Sequence, residues 1–321
     1  MISEEDLFML KRFFTALMIS LPLLAMAQPQ VIHDAVGDAL ILAKPARRII
    51  SLAPNLTEII FAAGAGKYLV GVSSFSDYPR DAKNIPVIAT FNDLDMEKIV
   101  NLHPDLVVAW QNGNPLRQLN QLRKLGIPVY VESFSKIADI PKNILAIGKL
   151  AGTENKARKA ADKFMRELAQ LQHHYAHKKP VKVFYELSNQ PLMTLNERSL
   201  VGQVIHLCGG ENIFATTSAL APHVNIASVL AANPQLIFIS KQTNDQATKI
   251  WNAYQQLAAT KKHHIFTIDA NALERYGPRI LQGAQQMCAD IDIVRQTEST
   301  HHYAKHVNKL SAFLTSVHKS A

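Results

Sequence analysis

Cysteine is scarce: the 321 residues hold two, Cys208 and Cys288. Neither stands directly after the apolar run near the N-terminus, where the thiol that tethers a bacterial lipoprotein is expected, and their spacing does not fit a cysteine-cluster zinc site. Long hydrophobic runs are lacking too. The run from Phe13 to Leu24 is shorter than the roughly 20 residues of a membrane span, and no later stretch is long and apolar enough to serve as one. Aromatic residues make up 7% of the chain and charged residues 19%. Thirty-four basic residues against 26 acids give a net charge of +8, but the cations are scattered. No arginine-rich stripe or aromatic-interleaved motif accompanies them, which argues against nucleic acid as a partner.

What is present begins with Lys11 and Arg12, the apolar run and the small-residue site Ala25-Met26-Ala27. That order predicts a secretory signal peptide over residues 1–27 and a soluble, exported, periplasmic product. Three acids, Glu4, Glu5 and Asp6, precede the basic pair, so Met9 competes with Met1 as the start. In an exported chain an even cysteine count favours a disulfide, with two buried thiols as the alternative.

With 48% apolar residues, the chain is long enough for two globular cores. A lead-in segment, 28–44, is weakly patterned. Strands are then expected at Arg47–Leu52, Leu69–Val72, Leu106–Trp110 and Ile127–Val131, with helices between them at Asn55–Ala63, Asp95–Leu102 and Asn114–Leu125. Asn55 and Glu58 have capping-box spacing, and Gly64 and Gly126 stand where helices stop. Ile137–Leu150 and a longer run from Thr153 to about His177, free of Gly and Pro, complete the first half. A second series follows Pro180, with strands at Val181–Leu187, Leu236–Ser240 and Ile265–Ile268 and helices at Arg198–Cys208, Ala247–Ala259 and Pro278–Arg295. The predicted fold is α/β: two lobes with mainly parallel sheets flanked by helices, 45–150 and 179–297, joined by one long rigid helix over 151–178. Residues 298–321 form a polar, His-bearing tail.

Catalytic signatures fail on inspection. Gly64-Ala65-Gly66-Lys67 follows a helix instead of a strand and has Phe61 at the first glycine position of a phosphate loop. Gly71-Val72-Ser73-Ser74-Phe75 lacks the last glycine of a nucleophile elbow. His301, His302 and His306 cluster in the tail, not at strand ends, so no specific metal site is expected. An open α/β sheet binds ligands at its strand carboxyl ends. Those loops carry Phe75 and Tyr78, Phe91, Trp110, and the run Asn271-Ala272-Leu273-Glu274-Arg275, a set suited to a large, partly apolar solute.

Four segments carry a resemblance: Arg48-Ile49-Ile50-Ser51-Leu52-Ala53-Pro54-Asn55-Leu56-Thr57-Glu58, Gly71 to Pro79, Pro104 to Trp110, and Cys208-Gly209-Gly210-Glu211-Asn212-Ile213-Phe214. Together they resemble periplasmic cobalamin-binding proteins of ABC importers, over roughly Arg47 to Arg295. The resemblance implies a binding protein rather than an enzyme, without a cofactor of its own, with cobalamin as the transported ligand and the importer's permease as partner, acting as a monomer. It implies ligand contacts at Phe75, Phe91, Trp110 and Asn271 to Arg275, a Cys208–Cys288 disulfide, and permease docking through Glu97. The matching second docking position is Ala227, and two further aromatic positions of the family hold Met193 and Ala221. The rival ligands on the same scaffold are an iron-siderophore or haem, and the rival class is a periplasmic hydrolase.

Overall fold

The computed structural model describes residues 30–90, 93–241 and 246–297. In chain order the elements are β1 (Gln30–His33), β2 (Ala39–Leu42), β3 (Ile49–Ser51), α1 (Pro54–Ala62), β4 (Leu69–Ser73), β5 (Val87–Ala89), α2 (Met96–Asn101), β6 (Leu106–Trp110), α3 (Leu116–Lys124), β7 (Val129–Glu132), α4 (Asp139–Ala151) and α5 (Glu154–Tyr175). The second half has β8 (Val181–Glu186), β9 (Ser188–Asn189), β10 (Leu192–Met193), α6 (Leu200–Leu207), β11 (Gly210–Asn212), α7 (Ile226–Ala232), β12 (Leu236–Ser240), α8 (Gln246–Asn252), α9 (Ala258–Lys261), β13 (Ile265–Ile268) and α10 (Ala270–Leu273). A last helix, α11, covers 280–297 of the described residues.

The strands form two main sheets, ordered β5-β4-β3-β6-β7 and β11-β8-β12-β13, and every pairing within them is parallel. Their apolar runs explain this: Val107 and Val108, or Ile237 and Phe238, are all fully buried, so both faces of each sheet are covered. One face of the first sheet packs on α2 and α3 through Ile99, Leu119 and Leu122. The corresponding outer face of the second buries Phe184, Val229 and Trp251.

The inner faces share one continuous core, in which Ile59 and Ile60 of α1, Ile144 of α4, Phe164 of α5, Val204 of α6 and Met287 of α11 meet. Between the sheets runs α5, whose 22 residues span about 33 Å at roughly 1.5 Å per residue. Its buried positions, Ala157, Ala161, Phe164, Leu168 and Tyr175, recur at helical spacing along one face. A Cβ at Gly148 would stand 2.2 Å from the Ala157 Cβ, so α4 and α5 approach closely because that position has no side chain.

Local expectations fail at three places. Asn55 does not cap α1: Ala53 holds the cap position, Pro54 starts the helix with its preset φ, and Asn55 lies buried within the first turn. Glu58, the other half of that capping box, instead accepts two hydrogen bonds from Arg279. The helix expected from Asn114 begins at Leu116, because the Asn114 side chain accepts from Trp110 N (2.7 Å) and donates to Leu52 O (2.9 Å). The helix expected over Ala247–Ala259 is two, α8 and α9. Buried Trp251 ends the first, its carbonyl taking the Thr260 hydroxyl, and Asn233 Oδ1 accepts Ala258 N at the start of the second. The lead-in segment is a hairpin, β1 with β2, fixed to β7 by Asp34, whose carboxylate accepts from Val131 N.

Among the described residues no helix is long and apolar enough to cross a membrane. The expected signal peptide, Phe91 and the His-bearing tail lie outside the described residues. Cys208 and Cys288 are joined in a disulfide, and both are fully buried.

Candidate functional site

The site is built from loops at the carboxyl ends of the two sheets, where β4, β6, β7 and β13 stop. After β4 the chain turns sharply through Phe75, whose φ of +62° lies in the left-handed region that costs a bulky residue of order 1 kcal/mol. A buried hydroxyl network holds that turn. Thr57 Oγ1 donates to Ser51 Oγ (2.8 Å) and stands 3.0 Å from Ser76 Oγ, which is 3.3 Å from Ser73 Oγ. With its backbone thus fixed, Phe75 projects into solvent, 78% exposed. An apolar ring held out by a strained, buried scaffold is an arrangement for contacting something.

Trp110 ends β6, half-buried against the shared core, with its backbone N–H fixed by Asn114. Its indole Nε1 is buried with no partner. The adjacent strand places Glu132 in register with it, 2% exposed, and burial first, then the nearby Asp34, pushes this carboxyl up to about 8. A neutral acid therefore sits beside the indole at the strand ends.

The facing rim follows β13. Asp269 caps α10, its Oδ1 accepting Asn271 N at 3.0 Å. Asn271 is partly exposed, whereas Ala272 is buried and Leu273 lies fully within the core, shaping the rim from behind. Glu274 accepts the Tyr185 hydroxyl (2.8 Å); burial raises this carboxyl, with Tyr185 and Arg275 among the groups pulling it back. Arg275 Nη1 reaches Asp77 Oδ1 of the opposite rim at 3.0 Å and stands 3.9 Å from Glu58 Oε1. Although partial desolvation works the other way, Arg275 holds the Asp77 carboxyl below its ordinary range.

Three partners of this site, Glu58, Tyr276 and Arg279, escaped the sequence reading. Arg279 grips Glu58 with two hydrogen bonds, at 2.6 and 3.1 Å, and its guanidinium lies 4.3 Å over the Tyr78 ring. Burial raises the Glu58 carboxyl, and Arg279 and Arg275 oppose that rise. Tyr276 stacks on Phe134, beyond β7, at 5.3 Å. No local signal could have found these pairs, because Glu58 and Arg279 are 221 residues apart and Glu58 fits a capping pattern.

The structure thus brings the Phe75–Tyr78 loop against the Arg275–Arg279 loop, with Trp110 on the same edge of the first sheet at the end of β6, separated from β4 by β3. Glu97 stands apart, exposed at the second position of α2 behind the Asp95 cap. Ala227 holds the same position of α7 behind the Asn225 cap, so the two sites are structural counterparts. A groove of about 960 Å³, lined in part by Ile137, Leu168, Tyr175, Gln203 and His206, opens elsewhere, between α5 and α6. It holds none of the expected contacts. Among the described residues no group of three His, Cys, Asp or Glu side chains could hold a metal ion.

A family model described as periplasmic binding protein matches residues 49–272. A vitamin B12-binding protein of Vibrio cholerae serotype O1 is 39% identical over 253 residues, 78% of this chain and 91% of the relative. One from Pectobacterium atrosepticum is 36% identical over 250 residues, 76% of this chain and 88% of that one. The crystal structure of the periplasmic vitamin B12 binding protein of Vibrio cholerae matches with a TM-score of 0.72 at 38% identity, covering 78% of this chain and 98% of that one. A periplasmic heme-binding protein in complex with two hemes reaches 0.71 at 19% identity, covering 78% and 100%, which shows the fold alone.

Proposed function

Because this chain belongs to the periplasmic binding protein family, we propose that it captures cobalamin between its two lobes and delivers it to an ABC importer. The observation that carries the reading is the meeting of the Phe75–Tyr78 and Asn271–Arg279 loops at facing strand ends, in a chain whose relatives are vitamin B12-binding proteins. Phe75, Phe91 and Trp110 offer apolar faces to the macrocycle. Asn271, Glu274 and Arg275 border its amide-bearing edge, and Glu97 meets the permease. The protein is exported by its signal peptide, acts as a soluble periplasmic monomer, binds lobes 45–150 and 179–297 through the helical segment 151–178, and makes or breaks no bond in its cargo.

Charge favours this cargo over haem or a siderophore. Arg275 and Arg279 are both matched by acids, Asp77 and Glu58, so the rim offers little surplus positive charge for propionates or an anionic chelate. A corrinoid whose rim is mainly neutral amides suits it better. Calorimetric titration with cobalamin, haem and ferric siderophores tests the reading: saturable one-to-one binding is expected for cobalamin. Saturable binding of only one of the others would replace it.

A further inference from the structure

We propose that Glu58 and Arg279 are positioning residues that clasp the two rims together and so preset the width of the cargo cleft. The inference deepens the cargo reading and rests on it only for the affinity arm of its test. Glu58 belongs to α1 in the first lobe, and Arg279 lies just before α11 in the second. The guanidinium bonds both carboxylate oxygens, Nε to Oε2 at 3.1 Å and Nη2 to Oε1 at 2.6 Å. The side chains are 2% and 14% exposed. A forked pair shielded from water fixes distance and orientation together, which an exposed ion pair does not.

The loop that carries Arg279 fits against Glu58 with no space left. A Cβ at Gly277 would stand 2.8 Å from Glu58 Oε2, so a side chain there would push the carboxylate away from its place against Arg279. Neighbouring contacts extend the clasp to the cargo-facing residues themselves. Arg275 spans to Asp77, and Arg279 covers Tyr78, so the loop that projects Phe75 is held by the segment that follows Asn271. Beside them, the Phe134–Tyr276 stack joins the lobes a second time. A buried ion pair is a poor source of stability, since a well-packed apolar pair does as well. What this pair adds is placement: it sets where one rim stands relative to the other, so that cargo meets a cleft already formed.

The test measures the rim-to-rim relation directly. Spin labels at Val87→Cys and Leu220→Cys, 56% and 52% exposed on opposite lobes, report the distance without cargo, the native cysteines being joined to each other. The unaltered clasp should give one narrow distribution. Glu58→Gln combined with Arg279→Met removes both charges and leaves no orphan ion. In that folded variant the distribution should broaden at least about twofold, and cobalamin affinity should fall about tenfold as preorganisation is lost. Arg279→Lys, which keeps the charge but not the fork, should broaden it less. An unchanged narrow distribution in the folded double variant overturns the clasp; if that variant does not fold, an unchanged distribution in Arg279→Lys does so. Failure of the unaltered protein to bind cobalamin would defeat the cargo reading and leave the distance result intact.

Discussion

Opening the Cys208–Cys288 bond should cost the second lobe a large share of its stability. The bond joins the end of α6 to α11 and closes a sequence separation of 80 residues, with both sulfurs inside the core. In the chain-entropy account a loop of that length restricts the unfolded chain by about 4.5 kcal/mol at 25 °C. Residual structure in the reduced, unfolded chain lowers what is realised, so a loss of about 2–4 kcal/mol is expected. Urea unfolding of the oxidised and reduced protein in a Trp110→Phe background, with fully buried Trp251 left as the emitting tryptophan, reads the transition of the lobe that contains both cysteines. Cys208→Ala with Cys288→Ala should match the reduced protein apart from about 1 kcal/mol for the lost sulfur packing. A difference below about 1 kcal/mol between oxidised and reduced protein would mean that the bond does not stabilise the fold by restricting the unfolded chain. Such stabilisation is available only in an oxidising compartment, so the same measurement bears on export.

Other outcomes follow from the site. Glu132, raised from 4.5 to about 8 by burial and then Asp34, holds a proton that the unfolded chain releases, so stability should decline as pH rises between those values. Glu132→Gln should abolish that decline and be more stable than the parent at pH 8 by a few kcal/mol, at about 1.4 kcal/mol per pKa unit. Urea unfolding at pH 5 and pH 8 checks this, and an equal effect at both would contradict it. Trp110→Ala should weaken cobalamin binding about tenfold through the loss of an aromatic face, measured by calorimetry. Glu97→Ala should impair uptake into cells while leaving cobalamin affinity unchanged; unaltered uptake would remove the docking role.

Much of the fold is written locally. Leu106–Trp110, Leu236–Ser240 and Ile265–Ile268 are strands over the residues their apolar runs indicated, and helices stop just before Gly64, Gly126 and Gly152, all at positive φ. What escaped depends on partners distant in sequence. The hairpin of β1 and β2 has little pattern of its own and is held by Asp34 against Val131, 97 residues on. The helix expected over Ala247–Ala259 breaks because Trp251 packs inward, which propensity does not report. The site divides in the same way. That Phe75, Trp110 and Asn271 stand at or just beyond strand ends is legible from the order of strands and helices along the chain. That Arg275 answers Asp77, and that Glu58 crosses to Arg279 instead of capping its own helix, follows only from the meeting of the lobes.

Cargo held between the two strand-end rims would be seen by hydrogen exchange with and without cobalamin. Bound cobalamin should slow exchange at residues 73–79, 110–114 and 269–277 together. Protection confined to the groove between α5 and α6, around 136–138 and 203–211, would place the cargo there instead, and no protection at saturating cobalamin would rule out binding between the rims.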